Sequence, residues 1–122
     1  LEKSGPSLLN CINKNNFVVN YTIIPYSGVS LIDFRFRIKK KVIYEKLISD
    51  LVSAINKGSL KNLYDINEVD NGPEIYNCSS YSAIFIKKNI KIINNQIYLT
   101  AYFDNENSVN RFYDLANYLT SK

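Results

Sequence analysis

The chain has 122 residues, 46% of them hydrophobic and 21% charged, with a formal net charge of +4. That is the size and composition of one globular domain spanning residues 1–122, large enough to bury a core without metal or disulfide staples. There is no His, which excludes Ser-His-Asp and Cys-His catalysis, and two cysteines alone cannot build a four-ligand zinc site.

Phosphate-cradling glycine motifs are likewise missing, with only four glycines in the chain. No apolar run reaches the ~20 residues needed to span a bilayer. The residues therefore point to no catalytic group, no metal ligand and no cofactor. Composition is skewed toward amino acids with A/T-rich codons: 17 Asn, 16 Ile and 12 Lys stand against four Ala. A low-GC genome accounts for that skew, and for much of the lysine excess.

Leu1 to Pro6 reads as frayed, and Ser7 caps one or two helical turns through Ile12. Phe17 to Ile24 is rich in β-branched and aromatic residues and ends at Pro25, which predicts a strand paired in a hairpin with the next. From Val29 the chain alternates: Asp33, Arg35, Arg37 and Lys39 fall on one face, and Phe34, Phe36 and Ile38 on the other. A helix follows, with Tyr44, Leu47, Ile48, Leu51 and Ile55 at three- and four-residue steps and Gly58 at its end. Ser59 opens a shorter helical piece, and the acidic stretch Asp65 to Glu74 is expected to be a long loop.

Tyr81 to Ile93 reads as strand with a break at Lys87-Lys88-Asn89. Asn94-Asn95 is a turn dipeptide, and Gln96 to Phe103 alternates again. Asp104 or Asn105 caps a last helix whose apolar stripe is Val109, Phe112, Leu115, Ala116 and Leu119. The whole predicts an α+β fold in the order (α)ββαββα, with a mainly antiparallel four- to five-stranded sheet and two long helices packed on one face.

If the helices cover the phenylalanines, the opposite face displays Arg35, Arg37, Lys39, Tyr98 and Tyr102. Guanidinium groups that bind carboxylates bidentately, beside rigid aromatic rings, make a partner-binding surface. The leading functional expectation is thus a small non-enzymatic binding module that recognises a protein partner, of inhibitor, immunity or secretion-accessory type. A cytoplasmic nucleic-acid-binding domain is the first alternative, less favoured because Phe34-Arg35-Phe36-Arg37 lacks the glycines of RNA-binding strands. A His-free carboxylate enzyme is the second. The chain contains no Met and its cysteines form an even pair, so secretion or the cell envelope (periplasm) is expected over the cytoplasm, with a Cys11–Cys78 disulfide.

Overall fold

The computed structural model describes residues 2–13, 15–23 and 25–121. Among the described residues three α-helices, α1 (Gly5–Leu8), α2 (Tyr44–Lys57) and α3 (Ser108–Thr120), accompany five strands. The strands are β1 (Val29–Arg37), β2 (Tyr64–Asn67), β3 (Ala83–Ile86), β4 (Lys91–Ile93) and β5 (Gln96–Asp104). They form one mixed sheet in the order β1-β5-β3-β2, with β4 also paired to β5. The fold is α+β as expected, but α1 runs from Gly5 to Leu8 behind Ser4 instead of from a Ser7 cap through Ile12, and the fold departs from the predicted plan in four larger ways.

First, the described part of the predicted Phe17 to Ile24 strand contains no strand, and Ile24 itself lies outside the described residues, as does Leu1. Residues 17–23 have the composition of a strand without a partner, and β propensity without pairing does not make one. β1 pairs instead with β5, antiparallel over its whole length from Val29↔Asp104 to Arg37↔Gln96. Second, the acidic stretch opens with β2, which runs parallel to β3 in the register Asp65↔Ile84 and Asn67↔Ile86. The sheet is therefore mixed rather than purely antiparallel. Third, residues 59–63 are turns and not helix.

Fourth, neither long helix covers the phenylalanine face, and of the two only α2 buries any of its residues. It packs against β2 and buries Ile48 and Ile55, and Gly58 closes it by donating its N–H to the Ala54 carbonyl at 3.1 Å. No residue of α3 is buried. Its first turns are tied down by Arg111, whose guanidinium donates to the Ser80 carbonyl at 3.2 Å, and by Asn107, whose amide reaches the Ser82 carbonyl. Its N-cap is Asn107 rather than Asp104 or Asn105. Asp104 is occupied elsewhere: its buried carboxylate accepts the N–H groups of Cys78 at 2.7 Å and Glu106 at 2.8 Å.

A parallel pair cannot be joined by a tight turn, so β2 must return to β3 through a long crossover. This connection, residues 68–82, includes a 3-10 turn at Pro73–Tyr76 that lies over one end of the sheet. There the Tyr76 and Tyr102 rings stack at 4.7 Å, and together with Val29, Ile84 and Ile86 they form the core. The Tyr76 hydroxyl accepts the Asn67 amide at 3.2 Å, and the Tyr102 hydroxyl donates to the Asp70 carboxylate at 3.1 Å. Two buried phenols are thereby satisfied at the polar ends of their rings.

Candidate functional site

Alternation places Leu31, Asp33, Arg35 and Arg37 of β1 on one face with Tyr102, Thr100, Tyr98 and Gln96 of β5. This face has two unlike ends. At the Val29 and Tyr102 end the crossover covers it and makes the core; at the Arg37 and Gln96 end it is open.

On the open half the charged and aromatic groups organise one another. The Arg35 guanidinium donates to the Asp33 carboxylate through Nη2 at 2.7 Å and Nε at 3.2 Å, and it lies 5.8 Å from the centre of the Tyr98 ring. The hydrogen bond to Asp33, reinforced by its charge, raises the already high pKa of Arg35, so the group is a permanent cation. The Tyr98 hydroxyl donates to Gln96 Oε1 at 2.7 Å. Lys91 of β4 stands opposite Tyr98 in the antiparallel register, and residues directly opposite share a face. Below them, the Asn89 amide donates to Thr100 Oγ1 at 2.9 Å. The result is an exposed strip in which Arg35, Arg37 and Lys91 outweigh the single carboxylate of Asp33.

Of the residues expected to bind a partner, Arg35, Arg37 and Tyr98 come together here. Lys39 is exposed just past the end of β1, where the Ile38 N–H still bonds the Asn95 carbonyl at 2.9 Å. Tyr102 is the exception. It shares the face by register but is 8% exposed, because the crossover lies over it. It belongs to the core and does not form part of an open surface. Lys91 is the contributor missed from sequence; once the Asn94-Asn95 turn is placed, counting back from it puts Lys91 across from Tyr98.

Cys11 and Cys78 are both exposed, and the structure does not join them in the expected disulfide. The four acidic residues of the 65–74 stretch do not gather. Glu68 pairs with Lys87 at 2.8 Å, and Asp70 takes the Tyr102 hydroxyl and the Gly72 N–H. Among the described residues, no group of three or more His, Cys, Asp or Glu side chains could hold a metal ion. None of the described helices is long and apolar enough to cross a membrane.

The opposite face carries Ile32, Phe34 and Phe36 of β1 and Leu99 of β5, with Phe85 of β3 and Tyr64 of β2 beside them. The Phe34 and Phe36 rings stack at 5.7 Å, and the Tyr64 and Phe85 rings at 5.5 Å. These side chains line an open apolar trough of about 360 Å³. The expected pair of covering helices would have filled it, but neither α2 nor α3 contributes to its lining and the trough opens to solvent. Compared with known proteins, the chain matches no family model and no curated protein.

Proposed function

We propose that the chain is a small, non-enzymatic binding module that recognises an acidic protein surface through the open half of its sheet. The observation that carries this reading is the placement of Arg35 over the Tyr98 ring, with Arg37 and Lys91 alongside. A guanidinium already held by Asp33 and an aromatic face loses little rotamer freedom when a carboxylate docks on it. The strip also lies on a regular sheet rather than a loop, which fixes the spacing of its charges. An inhibitor, an immunity protein or a secretion accessory would use a surface of this kind, and action at the cell envelope or outside the cell forms part of the same proposal.

The test is capture from an extract of the source organism by the wild-type chain and by the Arg37→Glu, Lys91→Glu double variant. Both positions are exposed, so the variant is expected to fold with stability within ~0.5 kcal/mol of wild type. Capture of the same protein should fall at least ~10-fold, the scale of one lost interfacial charge contact. Equal capture by both proteins would overturn the proposed surface. Binding of RNA or DNA that weakens steeply with salt and is lost in the same variant would replace the protein partner with a nucleic acid. Intact mass of the native protein, alkylated without reductant, reports its compartment: two blocked thiols mean a reducing one and oppose export.

A further inference from the structure

We infer that two copies of this chain pair through the outer edge of β1, in an antiparallel register centred on Phe34. β1 lies at the end of the strand order, and among the described residues only β5 pairs with it. Its nine residues therefore present an unpaired edge longer than the usual strand, which invites another strand. Residues 17–23, which have a strand's composition, form no strand and make no backbone hydrogen bond to it.

The sequence of that edge is complementary to itself. In Ile32-Asp33-Phe34-Arg35-Phe36, antiparallel pairing about Phe34 sets Asp33 of each copy opposite Arg35 of the other. Phe34 meets Phe34, and Phe36 meets Ile32 on the apolar face. The two Asp33–Arg35 ion pairs, each already formed within its own chain at 2.7 Å, then interlock as a ring of four alternating charges. Centring on Asp33 instead would oppose two carboxylates, so charge selects the register. Phe36 is 47% exposed in one chain and gains cover in this arrangement, while the two apolar troughs, each lined by Ile32, Phe34 and Phe36, meet across the two-fold axis.

This pairing engages Arg35, which also belongs to the partner surface proposed above, and would align two basic strips on one continuous sheet.

Sedimentation equilibrium of the full chain between about 1 and 100 µM tests it, with charge exchange as the probe. The wild-type chain should be a dimer of twice 14.1 kDa. Asp33→Arg alone places Arg opposite Arg, and Arg35→Asp alone places Asp opposite Asp. Each should raise the dimer dissociation constant at least ~30-fold, with the circular dichroism of the sheet retained. Mixing these two variants should yield a 1:1 heterodimer, because every cross-strand pair is then of opposite sign. The double exchange, Asp33→Arg with Arg35→Asp, should restore the homodimer. A wild-type chain that stays monomeric at 100 µM, a dimer indifferent to both single variants, or a mixture that forms no heterodimer would overturn the inference.

Discussion

At the scale of single residues, Tyr102 shows how one position can belong to a face and yet not to its surface. Burial, and then its hydrogen bond to Asp70, raise the Tyr102 pKa above the usual phenol value. Above about pH 10 the unfolded chain releases this proton while the folded chain retains it, so the folded state binds more protons. The contribution of Tyr102 is thus fully present below the unfolded value and is lost as pH rises through the folded one. Urea unfolding at pH 8 and pH 11 should show a smaller alkaline loss for Tyr102→Phe than for the wild type. At pH 8 the variant should be less stable by no more than ~1 kcal/mol, because the lost hydrogen bond ends on an exposed carboxylate. An alkaline decline identical in both proteins would show that the phenol does not ionise late.

At the scale of elements, the β4–β5 hairpin is the most local piece of the design. Ile93 pairs with Gln96, leaving Asn94 and Asn95 as a two-residue loop, and both have positive φ, 48° and 61°. This is the type I′ geometry that matches the twist of the flanking strands, and its second position favours glycine over asparagine. Asn95→Gly is expected to raise stability by several tenths of a kcal/mol, and Asn95→Val to lower it by ~1–2 kcal/mol, since a β-branched residue resists positive φ. Thermal melts of the two variants should therefore bracket that of the wild type.

The same local character explains which elements could be read from the sequence. α2 was legible because its stripe runs to a glycine, and β1 and β5 because they alternate. The 3-10 turn at Lys87–Asn89 falls on the predicted break. β2 was not legible: Tyr64-Asp65-Ile66-Asn67 is four residues long and paired in parallel, so its only signature is a partner elsewhere in the chain. The missing strand at 17–23 is the converse, a composition with no partner to act on it. For the candidate site, alternation sufficed for Arg35, Arg37 and Tyr98. It could not exclude Tyr102, because cover over that residue comes from a crossover whose path periodicity does not encode.

At the scale of the whole molecule, order is concentrated in the sheet. β5 pairs with three strands, and the core sits where it meets β3 under the crossover. α3, by contrast, leaves Phe112 71% exposed and Leu119 64% exposed. Native-state hydrogen exchange should rank the amides accordingly, with β5 and β3 slowest and residues 15–23 and α3 fastest. If two chains pair along β1, its amides should slow as protein concentration rises, while those of α3 should not. Protection of α3 equal to that of β5 would contradict this ranking.

The central position of β5 also bears on how the protein is made. Every strand except β2 takes β5 as a partner, yet its residues are among the last of the 122 to be synthesised. The last residue of β1 leaves the ribosome 67 residues ahead of the end of the strand it needs, counting from Arg37 to Asp104. At ~5–20 residues per second that is a wait of about 3–13 s, during which a nine-residue aromatic strand has no native place to go. Such a nascent chain is a natural client for ribosome-associated chaperones. Its yield in a foreign host should depend on translation speed as much as on the stability of the finished fold.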